Sequence, residues 1–150
     1  MGIKLDINSL KLMTLFENVT GARVKDYFEL DGAKYFVVQQ GEIGKAIGRQ
    51  GSNIRRLQDV MKCNVKIVEH NEDLLEFIKN LIYPLRLHSA EIKQEIKDET
   101  SVNKKMSDVV YLEAIDVKTR GLIIGRNATS LRNLEKAVQR YFDVKEIKVM

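Results

Sequence analysis

The sequence predicts an α+β fold made of two similar units in tandem. Helix-type and strand-type hydrophobic patterns alternate along the chain, and each half contains three predicted strands. A glycine-rich segment also recurs 77 residues further on, from Gly48 to Gly125. At 150 residues, with 44% hydrophobic and 31% charged residues, the chain is long enough for two small domains that each bury a core.

The first unit contains three predicted helices and three predicted strands. In chain order they are a helix over 8–19, strands over 22–30 and 33–40, a short helix, a glycine loop, a helix over 52–62 and a strand over 64–69. Asn8 or Ser9 can cap the first helix, because Asn and Ser are favoured at that position. The Asp31-Gly32 pair between two strand-like runs is a strong hairpin signal, so we expect these strands to pair.

The second unit repeats this plan from residue 71. Its predicted elements are a helix over 71–82, a strand over 90–96, a polar mobile turn over 98–108, a strand over 109–117, the repeated glycine segment with its helices, and a strand over 144–149. Asn71 is expected to cap the first of these helices, and Pro84 to end it.

The glycine segments of the two halves are copies of one another. GKAIGRQGSNIRRLQ, from Gly44, and GLIIGRNATSLRNLE, from Gly121, agree at six positions. The pairs are Gly44/Gly121, Ile47/Ile124, Gly48/Gly125, Arg49/Arg126, Arg55/Arg132 and Leu57/Leu134. Such self-similarity at a fixed offset indicates an internal duplication. We therefore expect domains over residues 1–70 and 71–150.

The positive charge is concentrated in the same two segments. Residues 41–62 carry five basic and two acidic side chains, and residues 118–140 carry six basic and one acidic, in a chain of net charge +4. A basic charge confined to two segments favours a polyanion-binding surface there. A pair of solvated helix faces would give the same composition, so charge alone does not decide.

The glycine loops do not match the sequence motifs of nucleotide-binding enzymes. A nucleotide-binding P-loop needs Lys followed by Ser or Thr, whereas Lys45 is followed by Ala46. The glycine spacing also departs from the dinucleotide-binding fingerprint. Cys63, His70 and His88 match no zinc spacing, and no catalytic triad or carboxylate pair is evident. We expect a protein that is not an enzyme and needs neither a metal nor a cofactor.

The setting expected from the sequence is the cytoplasm. Cys63 is the only cysteine, so an intrachain disulfide is impossible. No apolar run approaches the roughly 18 residues of a membrane span, and no signal peptide is evident, so we expect no contact with a membrane.

The glycine loops resemble those of KH domains. The repeated element order, with I-G-x-x-G between two helices, is similar to the type II KH fold, which implies an α/β sandwich of two KH domains, each a three-stranded sheet covered on one face by helices. In KH domains the GXXG loop clamps about four nucleotides. The first loop here is Gly48 to Gly51, and the second, from Gly125 to Ala128, is a degenerate GXXA loop.

The chemistry of the first loop fits this resemblance. Glycine leaves room for a phosphodiester backbone, and the N–H groups that open the following helix suit a phosphate. The residues expected at the RNA are Gly44, Lys45, Ile47, Gly48, Arg49, Gln50, Gly51, Ser52, Asn53, Arg55 and Arg56 in the first unit, and Arg120, Gly121, Gly125, Arg126, Asn127, Ala128 and Arg132 in the second. The walls of an apolar groove are expected from Ile43, Ile47, Ile54, Val65 and Ile67. Because Ala128 adds a Cβ, we expect the second site to be weaker or shifted.

The phrases GKAIGRQGSNIRRL, EFIKNLIYP and GLIIGRNATSLRN resemble the archaeal NusA-like family, over nearly the whole chain. The resemblance implies a factor of transcription termination or antitermination that binds single-stranded RNA near RNA polymerase. We also expect the chain to be a monomer. Two alternatives stay open: a ribosomal or ribosome-assembly KH protein, and a protein-interaction scaffold whose glycines serve helix packing.

Overall fold

The computed structural model describes residues 7–96 and 106–150 of the chain. The chain divides into two compact units that meet between Glu72 and Asp73, two residues beyond the predicted boundary at residues 70 and 71. Each unit has its own sheet and its own hydrophobic core.

The first unit has the predicted order of elements. They are α1 (Ile7–Thr20), β1 (Val24–Leu30), β2 (Ala33–Val38), α2 (Ile43–Ile47), α3 (Ser52–Met61) and β3 (Val65–Glu69). The described part of α1 begins at Ile7, so Asn8 and Ser9 lie inside the helix, and the prediction that one of them caps it was wrong.

The first sheet has the strand order β1-β2-β3, with β1 antiparallel and β3 parallel to the central β2. Phe36 in β2 lies between its partners Tyr27 and Ile67. Asp31 and Gly32 turn the chain between β1 and β2 with φ of 54° and 79°. Positive φ at both central residues is what a two-residue hairpin turn requires, so the predicted hairpin is confirmed.

The first core lies between one face of this sheet and helices α1 to α3. The rings of Phe16 and Phe36 stack with centroids 4.5 Å apart, and Tyr27 lies 4.9 Å from Phe36. Ala46 of α2 and Leu57 of α3 are completely buried in the same cluster. Because both helices that flank the glycine loop are anchored in the core, the loop is held at both of its ends.

The second unit has the same topology. Its elements are α4 (Leu74–Ile82), β4 (Leu87–Ile96), β5 (Met106–Ala114), α5 (Val117–Ile124), α6 (Thr129–Gln139) and β6 (Val144–Val149). The strand order is β4-β5-β6, with an antiparallel and then a parallel pair. Ile78, Ile123 and Val138 bring one side chain from each helix into the core. The predicted final strand, 144–149, is confirmed.

Four boundaries in the second unit differ from the predictions, the first being the start of β4 at Leu87 and not at Ala90. Helix α4 is capped by Asp73, whose Oδ1 accepts hydrogen bonds from the N–H groups of Leu75 and Glu76 at 3.0 and 3.3 Å, and not by Asn71. Val117, predicted at the end of a strand, is the first residue of α5 because Asp116 caps a helix there. Strand β5 already begins at Met106, so the predicted turn over 98–108 was wrong for residues 106–108, and its remaining residues, 98–105, lie outside the described residues.

Candidate nucleic-acid interface

The first glycine loop joins α2 to α3 through a short turn, Arg49–Gly51. Gly48 has φ 79° and ψ 172°, Gln50 has φ 53° and ψ 30°, and Gly51 has φ 74° and ψ 18°. Three of the four loop residues thus have positive φ, which turns the chain sharply from one helix into the next. The side chains of Arg49 and Gln50 are exposed at the outside of this turn.

The two glycines of this loop are required for different reasons. A Cβ on Gly48 would lie 2.8 Å from Cγ and Nδ2 of Asn53 and 2.9 Å from Oγ of Ser52, which is closer than non-bonded atoms approach. A Cβ on Gly51 would lie 3.4 Å from Nη1 of Arg55, an ordinary contact, so only its left-handed conformation favours glycine. Gly48 is therefore held by packing as well as by conformation.

Two side chains of α3 bind back onto the loop. Asn53 Nδ2 donates to the carbonyl oxygen of Lys45 at 2.9 Å, at the end of α2. Arg55 Nη1 donates to the carbonyl oxygen of Gln50 at 2.6 Å. Asn53 and Arg55 were predicted from the sequence to contact RNA. The sequence contained no signal for these two hydrogen bonds within the protein, because they depend on the angle between α2 and α3.

The N-terminus of α3 is open towards the loop. Its N-cap is Gly51, which has no side chain to cap the helix. The N–H of Ser52 donates to the carbonyl oxygen of Arg49, which leaves those of Asn53 and Ile54 without a side-chain cap. By contrast, α4 and α5 are capped by the carboxylates of Asp73 and Asp116. Uncapped N–H groups and the positive end of the helix dipole suit an anion such as phosphate.

Basic side chains surround this helix end. Arg49, Arg55 and Arg56 are exposed. Lys45 is also exposed and forms an ion pair with Glu42, with 3.6 Å between Nζ and Oε2. Because this pair lies at the surface, it contributes little stability and leaves the lysine available to other anions.

The second loop has the same backbone conformation as the first. Gly125 has φ 75° and ψ 176°, Asn127 has φ 54° and ψ 31°, and Ala128 has φ 60° and ψ 21°. Each value lies within about 15° of its counterpart in the first loop. The exchange of glycine for Ala128 therefore leaves the conformation of the loop backbone unchanged, and the prediction of a weaker or shifted second site stays a prediction. Arg120, Arg126 and Arg132 are all exposed around it.

In each unit, one helical glycine is required neither by its backbone conformation nor by close packing. Gly44 lies in α2 and Gly121 in α5, neither with a positive φ, and nothing lies within 4 Å of the place where a Cβ would stand. Glycine inside a helix costs stability relative to alanine. The space above both glycines is open to solvent, next to the loops that begin at Gly48 and Gly125.

The expected apolar groove is only partly formed by the predicted residues. Ile47 is 38% exposed and lies beside the loop. Ile43 and Ile67 are half-buried and pack against the first core. Val65 is 2% exposed, so it cannot touch a ligand, and its prediction as a groove wall was wrong. The alternation of β3 places Val65 on the face that α1 to α3 cover.

Comparison with known proteins agrees with this geometry. The family model described as "KH domain" matches residues 34–78, which span the first glycine loop. The crystal structure of APE1850 superposes with a TM-score of 0.75, covering 97% of this chain and 100% of that chain at 22% identity, which shows a shared fold.

Proteins named "Probable transcription termination protein NusA" match almost the whole chain. The protein from Methanococcus vannielii is 34% identical over 153 residues, covering 100% of this chain and 81% of its own length. The proteins from Methanocaldococcus jannaschii and Halococcus morrhuae are 26% and 27% identical, cover 99% of this chain, and are themselves covered over 75% and 99% of their length.

The two units, each with a three-stranded mixed sheet and a glycine loop between two helices, define a tandem KH protein. Within that class, the chain belongs to the archaeal NusA-like family.

Two further features bear on the kind of site. None of the helices in the described ranges, 7–96 and 106–150, has the length and apolar character needed to cross a membrane. Within the same ranges, no three His, Cys, Asp or Glu side chains are placed to hold a metal ion.

Proposed function

We propose that this chain is an RNA-binding transcription termination protein that holds the backbone of single-stranded RNA at residues 48–51. The observation that carries the proposal is the position of exposed Arg49 and Gln50 between two glycines, directly before the uncapped N-terminus of α3. This arrangement brings N–H donors, a positive helix end and a guanidinium to one place.

In this proposal the RNA backbone passes over Gly48 and Gly51, where no Cβ keeps it away. The N–H groups of Asn53 and Ile54 and the charge of Arg49 bind phosphate oxygens. The neighbouring bases lie against α2, over Gly44 and Ile47, where the surface is open. Base identity is read by such a surface, whereas the phosphate contacts set position and most of the affinity.

The second loop is proposed to hold a further stretch of RNA. Its backbone matches that of the first loop, and Arg120, Arg126 and Asn127 are exposed there. Ala128 adds a methyl group where the RNA backbone would pass, so this site is proposed to be the weaker of the two.

The biological setting is part of the same proposal. The chain acts as a monomer in the cytoplasm, near RNA polymerase, and needs no cofactor because it binds and does not catalyse. The names of its relatives support transcription termination over the ribosomal alternative. Recovery of RNA polymerase with the tagged chain from its native cells would support this setting, whereas recovery of small ribosomal subunits would favour the ribosomal one.

The binding site is tested by reversing charge in the first loop. Arg49→Asp together with Gln50→Asp should abolish binding of a fluorescent single-stranded 12-mer RNA of randomised sequence, while thermal unfolding stays near that of the wild type. A matched control is Lys11→Asp with Asn18→Asp, which makes the same charge change at two exposed positions of α1. Equal loss of affinity in both double variants would point to net charge alone. Unchanged affinity in the loop variant would leave a scaffold as the better explanation.

A further inference from the structure

We propose that the equivalent arginines of the two loops have different roles. Arg55 is a positioning residue that holds the first loop in its binding conformation, whereas Arg132 contacts an RNA phosphate directly. This inference rests on the proposed function and assigns one arginine in each RNA-binding site a specific role. The two arginines occupy the same position, 77 residues apart, in duplicated segments.

The guanidinium of Arg55 is directed towards its own loop. Its Nη1 lies 2.6 Å from the carbonyl oxygen of Gln50, a short hydrogen bond from a charged donor. Gln50 has φ 53°, a conformation that residues other than glycine adopt at a cost. A strong bond to its carbonyl therefore stabilises the least favourable residue of the loop.

The guanidinium of Arg55 lies next to the closing glycine, Gly51. A Cβ on Gly51 would lie 3.4 Å from Nη1 of Arg55, an ordinary contact distance, so the guanidinium packs close to the backbone of this glycine. In the second loop, Ala128 places a methyl group on the corresponding surface. The second unit therefore keeps the arginine of this pair, as Arg132, but has Ala128 in place of the glycine.

Arg132 differs from Arg55 in its hydrogen bonds. Among the residues that the structure describes, it makes no hydrogen bond or ion pair with its own loop, although Asn127 has the same conformation as Gln50. Its side chain is exposed, as is that of Arg126. A guanidinium that is not used within the protein can pair with a phosphate without first breaking an internal bond.

Salt dependence separates the two roles. Each phosphate bound on a single strand contributes about −0.7 to the slope of log K against log salt. Arg132→Gln should make the slope shallower by about this amount. Arg55→Gln should weaken binding several-fold with a slope close to that of the wild type, because a loosened loop binds less tightly while it still engages the same phosphates. The probe is the same randomised 12-mer RNA, titrated from low to moderate salt.

Backbone dynamics test the positioning role without RNA. In ¹⁵N relaxation of the free protein, Arg55→Gln should lower the order parameters of the Gln50 and Gly51 amides. Arg132→Gln should leave the order parameters of the Asn127 and Ala128 amides unchanged. Arg56→Gln, which removes the exposed arginine next to Arg55, should leave the order parameters of the first loop unchanged. If Arg55→Gln leaves the loop rigid, or reduces the salt slope as much as Arg132→Gln does, the assignment of roles is overturned. If the loop loosens but the wild type binds no RNA, the positioning role stands and the proposed function fails.

Discussion

Gly48 and Gly51 look alike in the sequence but are constrained in different ways. Gly48 combines a conformation open almost only to glycine with a Cβ position that Asn53 and Ser52 already fill. Gly51 has only the left-handed conformation, and the second unit shows that alanine can adopt it, since Ala128 has φ 60°. The same four-residue motif therefore contains one position that tolerates a methyl group and one that does not.

Alanine substitution should separate the two glycines. Gly48→Ala should lower the free energy of unfolding by about 1–3 kcal/mol, because strain in the backbone adds to a clash. Gly51→Ala should cost about 1–2 kcal/mol or less and leave a folded loop. Urea unfolding of both variants measures the difference. An equal loss of stability would mean that Asn53 and Ser52 move aside without cost.

Gly44 and Gly121 are shared by the two copies of the segment although the fold does not need them. Gly44→Ala should raise the free energy of unfolding by up to about 0.5–1 kcal/mol, since alanine favours the helix, and should lower affinity for RNA if bases lie above α2. Gly121→Ala is the matched variant in the second unit. Unfolding and RNA titration of each variant are measured together. A gain in stability with unchanged affinity would place the RNA elsewhere.

At the scale of single elements, capping distinguishes the helices. Asp73 and Asp116 cap α4 and α5 with their side chains, whereas α3 and α6 begin after Gly51 and Ala128 without a side-chain cap. Helices α3 and α6 follow the glycine loops, and the short helix α2 also begins without a side-chain cap. The N-termini of α3 and α6 therefore keep N–H groups available to a ligand, at the expense of helix stability.

The cap of α5 should make stability depend on pH. The backbone N–H of Thr119 donates to Asp116 Oδ1 at 2.7 Å, and this bond lowers the pKa of Asp116. Because the pKa is lower in the folded state, the contribution of Asp116 is present above the pKa of the unfolded chain and is lost as pH falls through the folded value. Asp116→Asn keeps an acceptor without a charge, so its urea midpoint should fall less steeply between pH 5 and pH 3 than that of the wild type. Parallel curves would contradict this assignment.

At the scale of the whole molecule, the two loops are similar in backbone and different in side chains. Leu122 and Asn133 stand where the first unit has Lys45 and Arg56, and Ala128 stands in place of Gly51. The second loop thus has fewer cations immediately around it and one more methyl group at the point of approach. The difference predicts a stronger and a weaker site within one chain.

Single charge reversals should rank these sites. Arg49→Asp should reduce affinity for the single-stranded RNA probe more than Arg126→Asp does, because the first loop binds more of the phosphates. The slope of log K against log salt should also become shallower by about 0.7 for each phosphate that the variant no longer binds. An equal reduction of affinity in the two variants would show that Ala128 and Leu122 do not weaken the second site.

Much of the fold could be predicted from the sequence, because the signals are local. Asp31-Gly32 encodes a turn with two positive φ values, and the pattern of Val144 to Val149 alternates as a strand does. The boundaries that were wrong, at Asn71 and Val117, depend on which of several nearby polar residues caps a helix. Neighbouring residues compete for that role, and the sequence alone does not rank them.

The sequence by itself determined the duplication, the element order and the position of both glycine loops. These features depend on the spacing of residues along the chain and on the backbone preference of each residue. Only the tertiary structure decided how the side chains around the loops are used. It placed Val65 in the core, joined Asn53 to α2 and Arg55 to Gln50, and held Ala128 in the conformation of a glycine. These outcomes depend on how α2 and α3 pack on the sheet. Such packing joins residues that are distant in the chain, so it produces no local sequence pattern.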